Sequence, residues 1–157
     1  MENDFLNGLG FIGFTARIKR ISDTLMYSAI EHYKNIDIGI EPNWHLVFLL
    51  LKQERKLTVT AIAEQLQFSH PGVIKIVNKM KEAGYLTSIT DTQDARKQLI
   101  QLSDKALKEL PKFEKEWNNI QLIIKEFVDL DMLYKLNGLE KDLKDISFVE
   151  RYQRKFT

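Results

Sequence analysis

Phe14, Ile18, Ile21, Leu25, Ala29 and His32 recur three or four residues apart along FIGFTARIKRISDTLMYSAIEHYKN, residues 11–35. That spacing gathers them on one stripe and predicts a long amphipathic helix. DIGIEP interrupts the pattern, and Pro42 opens PNWHLVFLLLKQE where a first helical turn tolerates proline. This second helix is apolar on nearly all sides, so it is expected to be buried. TVTAIAEQLQF then reads as a short helix, with Thr58 or Thr60 as cap and Ile62, Ala63 and Leu66 facing inward. SHPGVIKIVNKMKEAGYL follows, with Ser69 as N-cap, Pro71 in the first turn and Gly84 just past the end. Val73, Val77 and Met80 fall on one side of it, and His70, Lys75 and Lys79 fall elsewhere.

The period then changes from helical to alternating. LTSIT and KQLIQL are rich in β-branched and apolar residues and flank the polar DTQDAR, which predicts a two-stranded hairpin with a loop longer than the tightest turns. A lone hairpin is marginal in water, so this one must lean on the helices. Ser103 or Asp104 can cap a further helix carrying Leu107, Leu110, Trp117, Ile120, Ile124 and Phe127, within which Pro111 predicts a bend or a late start. A last helix opens near Asp129 or Asp131 and carries Leu133, Leu136, Leu139, Leu143 and Ile146. The expected order is three helices, a fourth, a hairpin and two long helices. The fold class is mainly α with a small β-wing.

Composition narrows the chemistry. At 157 residues the chain fits one domain, and with no cysteine it has no disulfide, thiolate metal site or thiol sensor. No apolar run approaches the roughly 18 residues of a membrane span, and the start MENDFLNGLG is acidic rather than basic. A soluble cytoplasmic protein is the expectation. The net charge of +1 hides an uneven distribution. Residues 52–82 carry six Lys/Arg against three Asp/Glu, while residues 1–51 carry four against six and residues 103–157 eleven against eleven. The excess falls on Lys52, Arg55, Lys56, Lys75, Lys79 and Lys81, as a polyanion-binding face inside a neutral protein would have it; a modest solvated patch would look the same.

A helix-turn-helix followed by a hairpin can grip duplex DNA: the second helix enters the major groove and the hairpin reaches the neighbouring groove or backbone. Arg96 can enter a narrow minor groove, and Asp94 can hold that arginine extended. The competing account is a solvated loop whose acids and bases merely pair. Three segments settle the comparison: LTVTAIAEQL, VNKMKEAGYL and DTQDARKQLIQLS, in that order and spacing. They resemble the MarR (multiple antibiotic resistance regulator) family of winged-helix transcription regulators, in detail over about a third of the chain. The wing signature of that family matches Asp94, Ala95, Arg96 and Leu102-Ser103.

The resemblance implies a winged helix-turn-helix DNA-binding lobe over residues 42–102, flanked by helical dimerisation regions over 1–38 and 103–157, all within one domain 1–157. It implies that Ser69, His70, Pro71, Gly72, Lys75 and Lys79 approach the major groove, with Asp94, Arg96 and Lys97 serving the wing. It also implies a homodimer on a pseudo-palindromic operator, a repressor more than an activator. Many members of that family sense a small aromatic compound in a crevice, for which Phe14, Tyr33, Trp44, His45 and Trp117 are the aromatic candidates here, although ordinary core roles suit them better. The chain departs from the family pattern at Gln67, where Gly or Asn is usual; at Gly72 and Ile74, where Ser or Thr is frequent; and at Ser88, where a basic residue is frequent. Gln67 points to a strained or differently shaped turn. Ile74 or Pro71 could instead touch thymine methyls.

Enzyme chemistry has little footing. His32, His45 and His70 lie on separate predicted helices without acids at ligand spacing, and no phosphate-binding glycine loop or nucleophile elbow occurs, so neither metal nor cofactor is expected. The flanks GFIGFTARIKRISD and DLKDISFVERYQRK also resemble regulators in which this unit precedes an acetyltransferase domain, and the DNA-binding half alone is expected here. The alternative of another class is a winged-helix module that binds protein and no DNA.

Overall fold

The computed structural model describes residues 4–157. The chain forms two compact units, one extending to Lys108 and one from Glu109 to Thr157. The first opens with a single turn of helix, α1 (Phe5–Gly8), and a 3-10 turn (Gly10–Gly13), then the long α2 (Phe14–Asn35). α3 (Trp44–Glu54), the short strand β1 (Lys56–Leu57), α4 (Val59–Leu66) and α5 (His70–Glu82) follow, and then the hairpin β2 (Leu86–Thr90) and β3 (Gln98–Leu102). α6 (Asp104–Ile124) begins in the first unit and continues into the second, which also holds α7 (Leu130–Asp145) and α8 (Phe148–Phe156).

The three strands form one antiparallel sheet in the order β1-β3-β2, with Leu86 opposite Leu102, Ser88 opposite Ile100 and Leu57 also opposite Ile100. Its inner face and three helices make the core of the first unit. Val47, Phe48 and Leu51 of α3, Ile62 and Ala63 of α4, Val73, Val77 and Met80 of α5, and Tyr85, Leu86 and Ile100 beside them are all buried. Phe48 and Trp44 set their rings edge-on to Tyr85, at centroid distances of 5.4 and 6.0 Å. The winged-helix architecture that the periodicities imply is therefore present, and the hairpin leans on helices as an isolated pair must.

Several elements differ from the sequence expectation. Pro42 lies in the turn before α3, which starts at Trp44, so it shapes the entry rather than the first helical turn. α3 is buried along Trp44, Val47, Phe48 and Leu51 but leaves Leu49 exposed. β1 has no counterpart among the expected elements; it pairs with β3 and adds a third strand. α6 starts at Asp104, capped by the Ser103 hydroxyl on the Ala106 N–H at 3.1 Å, and it contains Pro111, so the helix does not start late. Within α6 Ala106, Leu110 and Phe113 are buried while Leu107 is exposed. The last predicted helix is two helices, because Ile146 turns extended after Asp145 and Ser147 starts α8 with a capping box. Among the described residues no helix is long and apolar enough to cross a membrane.

Candidate nucleic-acid interface

α5 is fixed at both ends. At its start the Ser69 hydroxyl accepts the Gly72 N–H at 3.3 Å, with Pro71 in the first turn where its missing donor costs nothing. The turn that delivers it is built on Gln67, which adopts the left-handed conformation at φ 53°. The Phe68 N–H reaches back to the Ala63 carbonyl and the Gln67 N–H to that of Glu64, the paired bonds of a Schellman closure. The same closure ends α5 around Gly84 at φ 80°, with Tyr85 donating to Met80 and Gly84 to Lys81. Lys105 Nζ donates to the Ala83 carbonyl at 2.8 Å while lying 4.1 Å above the Tyr85 ring, and Ser103 Oγ donates to the Gly84 carbonyl at 2.6 Å. A cation on the carbonyl end of a helix also suits its dipole.

With Val73, Val77 and Met80 buried, the opposite face presents Pro71, Ile74, Lys75 and Asn78 to solvent. Lys75 and Asn78 have no hydrogen-bond or ion-pair partner among the described residues. The other sequence candidates on α5 are engaged. His70 turns its Nε2 to within 3.4 Å of Thr60 Oγ1 on α4. Lys79 pairs with Glu41 at 2.6 Å, a contact across the turn before α3. Gly72 has no room for a side chain without moving the cap, since a Cβ there would meet Ser69 Oγ at 2.9 Å. Asn78 was missed by the sequence reading, although its spacing from Ile74 and from the buried positions marks it as outward-facing.

The wing loop, residues 91–97, is held by its own aspartates. Asp91 Oδ1 accepts the Gln93 N–H at 2.9 Å, and Asp94 Oδ1 accepts the Arg96 N–H at 3.1 Å. Backbone bonds of 2.9 Å, from Asp91 N–H to the Lys97 carbonyl and from Lys97 N–H to the Asp94 carbonyl, close the loop. Asp94 was expected to extend the arginine side chain. It accepts the Arg96 backbone N–H, and its second oxygen lies 3.8 Å from Lys97 Nζ. The Arg96 guanidinium is exposed and has no partner among the described residues.

The four aromatic candidates of the first unit do not share one pocket. Phe14 lines a cleft of about 370 Å³ with Phe11, Arg17, Ile18 and Ile21. Tyr33, buried, lines a different pocket of about 560 Å³ with Met26, Ile30, Ile38, Ile40, Pro42 and the Glu41 and Lys79 pair. Trp44 is core, its indole N–H unpartnered among the described residues, and His45 Nδ1 lies 2.6 Å from the Pro42 carbonyl. Trp117 lies beside Phe113 in the second unit, the rings tilted at a centroid distance of 6.1 Å. No group of three or more His, Asp or Glu among the described residues is placed to hold a metal ion.

The sequence profile of the MarR family matches residues 38–97, which include α4, α5, β2 and the wing loop. No curated protein matches the chain in sequence. Among solved structures, MepR of S. aureus in complex with DNA is 20% identical, with a TM-score of 0.68, over 84% of this chain and 96% of its own. A MarR/EmrR family transcriptional regulator from Acinetobacter sp. ADP1 is also 20% identical, at a TM-score of 0.68, over 83% and 92%. PcaV, a transcriptional regulator from Streptomyces coelicolor solved with its natural ligand, is 15% identical at 0.66, over 87% and 92%. At such identities the likeness is one of fold, while the profile match concerns the residues themselves. That match places residues 38–97 of the chain, the helix-turn-helix and wing, in similarity to the MarR family, and the solved structures share its winged-helix fold.

Proposed function

We propose that this chain is a DNA-binding transcriptional regulator that acts as a homodimer, a repressor covering a pseudo-palindromic operator. One observation carries the reading. A helix immobilised at both ends offers a solvent-facing side with an unpartnered cation, Lys75, and a self-braced wing offers a second, Arg96. Cations without internal partners, on rigid elements, are what neutralising phosphates requires, because no ion pair must first be broken. Ser69, His70, Pro71 and Gly72 form the helix start that approaches the groove, and Lys97 flanks the wing tip. Lys79 joins them only if Glu41 releases it.

The dimer reading rests on uncovered apolar surface. Along α2, Phe14, Ile18, Ile21 and Leu25 are exposed, as are Leu133, Leu136, Leu139 and Leu143 along α7. Apolar stripes of that length on single helices call for a cover, and a second copy supplies one for residues 1–38 and 103–157 alike. A two-fold pair then presents two α5 helices to half-sites about one turn of DNA apart. Release by a small aromatic compound belongs to the same reading: the Tyr33 pocket has an apolar floor and shares the Glu41 and Lys79 pair with α5, so an occupant there would bear on the recognition helix. Such a protein works in the cytoplasm beside its DNA.

The test is selection of duplexes from fragmented genomic DNA by the purified chain, followed by affinity at several salt concentrations. Recovery of discrete pseudo-palindromes with a steep fall of affinity as salt rises is expected. Absence of any selected duplex, or salt-independent binding, overturns the reading.

A further inference from the structure

The outward face of α5 has a composition that restricts which bases it can read. Three of its positions, Pro71, Ile74 and Asn78, follow one another at spacings of three and four, so they form a line along the exposed side of the helix. Ile74 keeps 39% of its surface exposed, a large value for an isoleucine on a face whose cation and amide are otherwise free. α5 contains no arginine and no glutamine, and its one capping hydroxyl, Ser69, already accepts the Gly72 N–H. His70 and Lys79 are turned to Thr60 and Glu41.

Base edges differ in what they offer such a line. Guanine is read by a forked arginine or a lysine and cytosine by an acid, whereas thymine presents a methyl group to apolar side chains and adenine an N6/N7 pair that an Asn amide matches. We propose that the recognition helix reads A·T pairs, with Pro71 and Ile74 packed on thymine methyls and Asn78 paired to an adjacent adenine, so that the major-groove core of each half-site is A·T-rich. Lys75, on the same face, then serves a phosphate. Arg96 of the wing agrees with this assignment, since A·T-rich flanks narrow the minor groove and concentrate the negative potential an arginine seeks. The proposal rests on the DNA-binding reading above and adds the class of sequence bound.

The test uses the full chain and a random duplex library. The recovered half-sites are expected to carry A·T pairs at their core. Replacing thymine by deoxyuridine at those positions removes only the methyl and is expected to weaken the wild type about fourfold per methyl contacted. An Ile74→Ala variant, folded by circular dichroism as befits an exposed position, should lose most of that sensitivity, and Asn78→Ala should relax the preference for adenine at one position per half-site. Recovery of G·C cores, or equal affinity for thymine and deoxyuridine duplexes in the wild type, overturns the proposal while leaving DNA binding intact. Failure to recover any duplex overturns the DNA-binding reading itself, and the assignment of bases with it.

Discussion

Single residues decide how the recognition helix is delivered and how much charge it brings. Gln67 occupies a left-handed position that favours glycine, and a side chain there carries a penalty that Gly would avoid. Gln67→Gly is therefore expected to stabilise the fold by about 1 kcal/mol, seen as a higher urea midpoint at unchanged slope; an unchanged midpoint would show that the turn is not strained. The unusual demand at this point was legible through the family resemblance, in which Gly or Asn is usual at Gln67. The Glu41 pairing of Lys79 was not, since the partners stand 38 positions apart and no local pattern joins them. Removing the acid tests its consequence. In Glu41→Gln, Lys79 becomes available to phosphate, so duplex affinity should rise and the slope of log affinity against log salt should steepen by up to about 0.9 per chain. Equal slopes for variant and wild type would mean that Lys79 stays away from the DNA.

Elements with their own chemistry were easier to read than elements made by pairing. The α4-turn-α5 unit and the hairpin were legible because caps, apolar spacing and a change of period coincide there. β1 was not, because its strand character comes only from β3 across the sheet. α8 could have been found: Ser147 and Glu150 are the two ends of a capping box, and the apolar residues after Ile146 shift off the preceding stripe. That box also makes α8 sensitive to acid. The Ser147 backbone N–H, and then its hydroxyl, hold the Glu150 carboxyl below its ordinary range. A lowered folded value means that the support is present above the ordinary carboxylate range and is lost as pH falls through that lower value. The protection of the Ser147 and α8 amides, taken relative to the intrinsic exchange rate at each pH, should therefore fall on acidification to that point, and in Glu150→Gln the acid-dependent step should disappear. The wing is another self-contained element: with Asp94→Ala the Arg96 N–H loses its acceptor, and weaker duplex binding is expected without loss of thermal stability, by gel shift and thermal melting together.

Across the molecule, the apolar surface left on α2 and α7 is the feature that a lone chain explains least well. It was visible beforehand as stripes of helical period, but a stripe does not say whether its own chain or another covers it. Under the dimer reading, glutamates at Ile18 and Ile21 should yield a monomer in sedimentation equilibrium and abolish tight operator binding, while the wild type sediments at twice the chain mass. A wild type that stays monomeric at micromolar concentration would remove the second copy. The central claim, however, is that two free cations on rigid elements hold DNA. Its most direct measurement is the affinity of a Lys75→Glu, Arg96→Glu double variant for a selected duplex at about 0.1 M salt, with folding checked by circular dichroism. The account predicts a loss on the order of a hundredfold or more together with a shallower salt slope. Wild-type affinity and slope in that variant would contradict it.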